Sequence, residues 1–186
     1  TDLSSNLNKN CELQFMDAKS KDGHSVLLHS TAHLMAQAVK RLFPKTKVTI
    51  GPFLENRFYY DFDVNSPFTE NDLLEIENEM MKISQENLEI SHQVKSRNEA
   101  LAFFEKIDES YKVEIINDLD KDEILKVYSQ GEFTDLCRGP HVHSTGQIKH
   151  FKILSSSAAY WRGDEKNQTL QRVYGTSFQN SKDLKK

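Results

Sequence analysis

Apolar positions recur along this chain with one of two periods, and the period decides the element. Between about Ser25 and Phe43, Leu27, Leu28, Thr31, Leu34, Met35, Ala38, Val39 and Leu42 repeat at helical spacing. They define one broad side of a long helix, which Pro44 ends. His29, His33, Ala36 and Lys40 fall on roughly the opposite side. The two imidazoles therefore leave the main apolar stripe together, and a second surface or pocket wall must receive them if they are buried. A second helix is capped by Thr69, with Asp72 as an acidic form of the capping box, and carries Leu73, Leu74, Ile76, Met80 and Ile83 to about Asn87. Ser96 opens a shorter helix over Asn98 to Lys106.

Period-two runs supply the strands. Cys11 to Met16 alternates ahead of a charged linker, Lys19-Ser20-Lys21-Asp22-Gly23. Lys47 to Ile50 and the aromatic run Arg57 to Asp63 flank a Gly51-Pro52 turn as a hairpin. Leu88 to Lys95 and Ile124 to Ser129 read as further strands, the latter leading through Gly131 into Phe133 to Cys137, while Tyr111 to Ile116 fits helix or strand equally. Phe151 to Trp161 and Leu170 to Phe178 are two more, joined by a turn at Gly163 to Asn167, so the C-terminal third is expected to be antiparallel sheet. Ser181 to Lys186 has the cap and charge of a helix at its start. Helices and strands are mixed rather than strictly alternating, which predicts an α+β fold: antiparallel sheet packed around the long central helix.

The 186 residues, 37% of them hydrophobic, suit one domain with a core of ordinary size. No run approaches the apolar length of a membrane span, and the N-terminus lacks a signal-peptide pattern. With 24 Lys and Arg against 28 Asp and Glu, the formal charge is -4, which excludes indiscriminate adhesion to a polyanion. Any nucleic-acid contact must be local and shaped. Lys40, Arg41, Lys45 and Lys47 form such a cluster, read either as a solvated basic patch or as a track for an RNA backbone. Cys11 and Cys137 do not make a disulfide framework in a chain this long, so a reducing, cytoplasmic setting is expected. Opening on Thr1 rather than Met, the chain reads as a processed product or an excised piece of something longer.

Candidate chemistry concentrates in two pairs. On a helix, His29 and His33 stack on one face. Cys137 and His141 have the same spacing, but Gly139 and Pro140 between them argue for a loop. Three imidazoles and one thiolate satisfy a tetrahedral zinc ion. The same groups also work without a metal. Neutral imidazoles exchange protons near pH 7, a thiol donates a hydrogen bond, and Lys112 or Asp135 holds charge, a set suited to hydrolysing an activated ester with a positioned water. Cys137 as a covalent nucleophile is a third option. The bland alternative makes Cys137 a small core hydrophobe and His141 a satisfied loop residue. Residue types do not separate these.

Longer words narrow the choice. His29-Ser30-Thr31-Ala32-His33, Ile50-Gly51-Pro52, Phe58-Tyr59-Tyr60-Asp61, Asp135-Leu136-Cys137-Arg138-Gly139-Pro140-His141, Tyr160-Trp161-Arg162-Gly163-Asp164 and Leu170-Gln171-Arg172-Val173-Tyr174-Gly175, in this order, closely resemble the editing domain of bacterial-type threonyl-tRNA synthetases. The resemblance covers Gly23 to Phe178. By the same likeness, residues 1–22 are expected to be the tail of a preceding β-grasp domain and a linker, 23–180 the editing domain, and 181–186 the start of a helix leading to an aminoacylation domain absent from the chain.

That resemblance implies post-transfer editing, the hydrolysis of the ester in mischarged seryl-tRNA(Thr), without ligase activity. His29, His33, Cys137 and His141 match the family's editing quartet, and Lys112, Asp135 and Tyr60 match neighbours assigned to substrate binding and water placement. The roles it implies give His29 and Lys112 the water and the proton transfer, aided by the terminal ribose hydroxyl. His33, Cys137 and His141 hold the seryl group and ribose, Asp135 the amino group, and Tyr60 the terminal adenosine or its sugar. In related alanyl-tRNA editing domains the quartet binds zinc, whereas the threonyl version is described as needing no metal, so no cofactor is expected. Implied partners are the tRNA(Thr) acceptor end and the rest of a synthetase chain that dimerises through the absent domain, in the cytoplasm and away from membranes. The rivals are a zinc-dependent aminoacyl-tRNA hydrolase of alanyl-editing type and a non-catalytic tRNA-binding appendage. Two positions depart from the pattern: Arg57 stands where Gly usually precedes Phe-Tyr-Tyr, and Ala158 where Gly commonly precedes Ala-Tyr-Trp. A glycine of positive φ at either place would make the change alter the rim of the site, and Arg57 is also placed to add a phosphate contact.

Overall fold

The computed structural model describes residues 9–12, 14, 17 and 20–185. The strand expected over Cys11 to Met16 falls on a stretch whose residues 13, 15 and 16 lie outside those described, as do residues 1–8 of the expected tail and residue 186 at the other end. Helix α1 (Lys21–Leu42) begins ahead of its apolar pattern, so part of the expected linker is helical. The cause is local: Ser20 Oγ accepts from Gly23 N at 3.1 Å, and Asp22 lies in the first turn, where it favours the positive helix end. Every residue from Ser30 to Val39 is buried, so α1 is sheathed on all sides. The face that carries His33 and Ala36 has found its second surface.

Strand β1 (Lys47–Val48) pairs antiparallel with β2 (Phe58–Asp63), setting Val48 opposite Phe62 in the expected hairpin. Helix α2 (Glu70–Glu86) begins with the reciprocal Thr69–Asp72 capping box and ends at Asn87 in the left-handed region. After β3 (Ile90–Lys95), helix α3 (Arg97–Lys106) opens with a second capping box between Ser96 and Glu99. The ambiguous stretch is helical, as α4 (Ser110–Asp118). Two cores act on it at helical spacing: Tyr111 and Ile115 pack with Trp161 and Leu170, whereas Ile116 packs with Ala100, Phe104, Leu125 and Val127. Strands β4 (Leu125–Gln130), β5 (Phe133–Leu136), β6 (His150–Tyr160) and β7 (Thr169–Phe178) and the short helix α5 (Ser181–Leu184) complete the chain. Trp161, expected in a strand, instead opens a 3-10 turn and donates from its indole to Glu114.

The strands form two antiparallel sheets, ordered β1-β2-β7-β6 and β3-β4-β5. One continuous core joins Leu28, Leu34, Met35 and Val39 of α1 to Phe58, Tyr60 and Phe62 of β2, Ile76, Met80 and Ile83 of α2, Val173 of β7 and Phe133 of β5. The helix thus touches both sheets, and the edge strand β5 delivers the Cys137 loop to its histidine face.

Candidate functional site

His29 and His33 sit one turn apart on α1 with their rings edge to face, centroids 5.2 Å apart. Across from them the chain leaves β5 with one further sheet-like bond, Cys137 N to Lys126 O, and then turns through Gly139 at φ 67°. A side chain at Gly139 would run into the Tyr128 hydroxyl, so only glycine allows this approach. The loop returns to α1 where Val142 N donates to Ser30 Oγ at 3.0 Å, and Ile90 N then holds His143 O. This path brings Cys137 Sγ to 3.2 Å from Nε2 of both His29 and His141. The His141 ring lies 4.5 Å from that of His29 and 4.3 Å from that of His33. All four predicted members of the quartet therefore meet.

Behind His33 lies a second, charged layer. Tyr60 donates to Asp135 Oδ2 at 2.6 Å, and the Lys112 ammonium reaches Thr49 O at 2.5 Å, Tyr60 Oη at 3.1 Å and Asp135 Oδ1 at 2.5 Å. His33 Nε2 lies 3.5 Å from Asp135 Oδ2 and links the layers. Lys112, Asp135 and Tyr60 are brought to the quartet as expected, but Lys112 directs its ammonium at three protein acceptors.

Burial sets the charge of the imidazoles. It lowers the pKa of His29, against the pull of Asp135. His33 and His141 are held well below the usual histidine range, first by burial and then by neighbouring imidazoles, with the Lys112 charge adding at His33. All three are neutral near pH 7 and offer one donor and one acceptor nitrogen each. Tyr60, pushed well up by burial and by Asp135, stays a phenol that donates. Half-exposed His29 and Cys137 are the members that solvent reaches, whereas His33 and His141 are 4% and 6% exposed.

The basic cluster is largely engaged within the fold. Lys40 pairs with Glu109, Arg41 with Glu79, Glu86 and Glu132, and Lys47 with Asp108. A cleft of about 260 Å³ beside it is lined by Gln37, Lys40, Arg41, Glu109 and Glu132, in which Lys40 pairs with Glu109 and Arg41 with Glu132. Among the described residues, positive φ outside glycine occurs at Asn87, Asp108 and Arg162, so Arg57 and Ala158 occupy backbone that any residue adopts. Both are exposed. Ser30 and Tyr128, which grip the Cys137–His141 loop from either side, were not singled out from sequence. Ser30 lies inside the His29–His33 word, whereas nothing local marks Tyr128, whose ring meets His141 at 4.5 Å through a strand register.

An α+β fold that presents a helix-borne histidine pair to a Cys-x-x-x-His loop defines the editing class shared by two synthetases: residues 125–174 match the family described as threonyl and alanyl tRNA synthetase second additional domain. Over 98% of its length the chain is 53% identical to the threonine-tRNA ligase of Pelobacter propionicus, and over all of it 54% identical to that of Maridesulfovibrio salexigens. The ligase of Symbiobacterium thermophilum is 52% identical over 98% of the chain. Over nearly its whole length the chain matches the N-terminal editing domain of bacterial threonyl-tRNA synthetases. It spans 28 to 29% of the length of these relatives. No described helix is long and apolar enough to cross a membrane.

Proposed function

We propose that this domain hydrolyses the aminoacyl ester of seryl-tRNA(Thr), adding water to release serine and intact tRNA(Thr). The observation that carries the reading is the closed quartet: three neutral imidazoles around one thiol, with Cys137 Sγ 3.2 Å from two of them, in a chain of this family. The need is physical. Serine lacks one methyl of threonine, worth only about 1–3 kcal/mol in an apolar pocket, so a synthetic site profits from a second site that removes errors. Because the wrong amino acid is the smaller one, threonine must be refused by its methyl striking the wall or displacing the attacking water.

In this reading His29, half-exposed and neutral, takes the proton of the water, with help from the terminal ribose hydroxyl. Lys112 places the water through the field of its charge and through Asp135, since its own protons have acceptors. His33, Cys137 and His141 hold the seryl group and ribose, Asp135 attracts the amino group, and Tyr60, expected at the terminal adenosine or its sugar, is fully buried and acts through its bond to Asp135. The partners are the acceptor end of tRNA(Thr) and the remainder of a synthetase chain, dimeric through that remainder and working in the cytoplasm. Residues 1–22 close a preceding domain, 23–180 carry editing, and 181–186 lead toward aminoacylation.

The quartet also fits zinc: one donor atom from each residue lies within 4.8 Å of the others, and the neutral imidazoles and thiol are donors zinc accepts. When bound, zinc supplies a more acidic water and a polarised ester carbonyl. We favour the metal-independent reading of the threonyl branch, with an alanyl-type zinc hydrolase second. Release of serine from seryl-tRNA(Thr), faster than from buffer and faster than threonine from threonyl-tRNA(Thr), is the expected result. Release of neither amino acid above buffer would leave a tRNA-binding appendage, and activity abolished by a chelator and restored by stoichiometric zinc would move the chain to the second reading.

A further inference from the structure

The proposed function leaves one buried polar group at the site without a task. The Ser30 hydroxyl is fully buried and lies 2.8 Å from Val26 O, 3.0 Å from Val142 N and 3.0 Å from His141 Nδ1. A hydroxyl has one proton and two lone pairs, a carbonyl only accepts, and an amide only donates. The proton therefore goes to Val26 O, since otherwise two bare oxygens would face each other at 2.8 Å. Val142 N–H occupies one lone pair. His141 Nδ1, facing the other, must carry a proton.

This choice propagates through the site. A neutral His141 protonated on Nδ1 turns a lone pair on Nε2 toward Cys137 Sγ at 3.2 Å, and the thiol donates its single proton there. The sulfur then accepts, from Gly139 N at 3.2 Å and from His29 Nε2 at 3.2 Å. His29 thus bears its proton on Nε2, which leaves Nδ1 as its basic nitrogen.

We propose that Ser30 is a positioning residue: its hydroxyl holds His141 in the Nδ1–H tautomer and thereby directs the hydrogen bonds that run from His141 through Cys137 Sγ to His29, making His29 Nδ1 the nitrogen that receives a proton. The consequence for rate rests on the ester-hydrolysis reading, and the tautomer does not. Under the zinc alternative the same His141 tautomer leaves Nε2 for the metal, the usual part of an outer hydrogen bond in such sites.

Long-range nitrogen–proton NMR correlation of the imidazoles, on chelator-treated protein at neutral pH, reads the tautomer directly. Wild type and Ser30→Thr, which keeps the hydroxyl, are expected to show His141 protonated on Nδ1, and Ser30→Ala to shift it to Nε2 or to a mixture. A wild-type His141 protonated on Nε2, or an unchanged tautomer in Ser30→Ala, overturns the proposal; the wild-type spectrum decides even if a variant misfolds. In seryl-tRNA(Thr) hydrolysis, Ser30→Ala should lower kcat about tenfold or more with KM little changed, and Ser30→Thr should retain most of the rate. An unchanged kcat in Ser30→Ala removes Ser30 from the mechanism while editing stands. Wild-type protein that does not hydrolyse the ester ends the editing reading and leaves the tautomer to the spectra.

Discussion

Lys112 and Asp135 form an ion pair 2.5 Å apart in which each side chain is only 2% exposed. Such a pair is costly to break from one side, because the surviving charge stays buried without its partner. Lys112→Met is expected to lose about 3–5 kcal/mol of unfolding free energy in urea titration, together with ester hydrolysis. The double variant Lys112→Met, Asp135→Leu should be more stable than the single one yet equally inactive. A double variant no more stable than Lys112→Met would show that packing, not the stranded carboxylate, sets the loss.

Tyr60 connects the same pair, donating to Asp135 and accepting from Lys112. Tyr60→Phe keeps the ring in its fully buried place but strips both groups of one partner. A loss of about 1–3 kcal/mol is expected in urea, with a lower rate of serine release. Loss of rate at unchanged stability would instead point to direct contact between the hydroxyl and the substrate.

Acid should weaken the fold earlier than carboxylate protonation alone explains. The folded pKa values of His29, His33 and His141 lie below the ordinary 6.5, so between the two values the unfolded chain binds more protons. Their contribution is complete above about pH 6.5 and declines as pH falls toward the folded values. Urea midpoints of chelator-treated protein measured from pH 8 to 5 should drop below about pH 6.5, and His33→Gln should flatten that drop. An equally steep decline in the variant would assign it to other groups.

Two glycines of positive φ offer a matched comparison. Gly139 faces the Tyr128 hydroxyl, whereas nothing lies within 4 Å of the position a side chain would take at Gly163. Gly163→Ala should cost only the backbone penalty of about 1–2 kcal/mol and leave hydrolysis intact. Gly139→Ala adds a steric term of about 1–3 kcal/mol and displaces Cys137 and His141, so it should also abolish serine release. Equal stability and activity in the two variants would disprove the packing role of Tyr128.

Local chemistry was readable where cause and effect lie within a few residues. Thr69 and Asp72, or Ser96 and the turn after it, announce a helix start because the capping bonds span three positions. Period-two aromatics place Phe58, Tyr60 and Phe62 on the buried face of β2 for the same reason. Tyr111 to Ile116 stayed ambiguous because its helix is settled by two cores contributed from distant strands and helices. The basic cluster could not be judged either, since the carboxylates that engage Lys40, Arg41 and Lys47 lie far along the chain.

The site divides along the same line. Residue types and spacing in the chain establish the helix that carries His29 and His33, the glycine-turned loop that carries Cys137 and His141, and the chemistry open to those four groups. Their meeting does not follow from spacing, for His29 and Cys137 stand 108 positions apart. The path of β5 across the histidine face of α1 brings them to 3.2 Å, buries two imidazoles so that they stay neutral, and sets Ser30 under His141. Periodicity is a property of neighbours in sequence, whereas burial, protonation and the direction of a hydrogen bond are properties of neighbours in space, and only the folded chain has those.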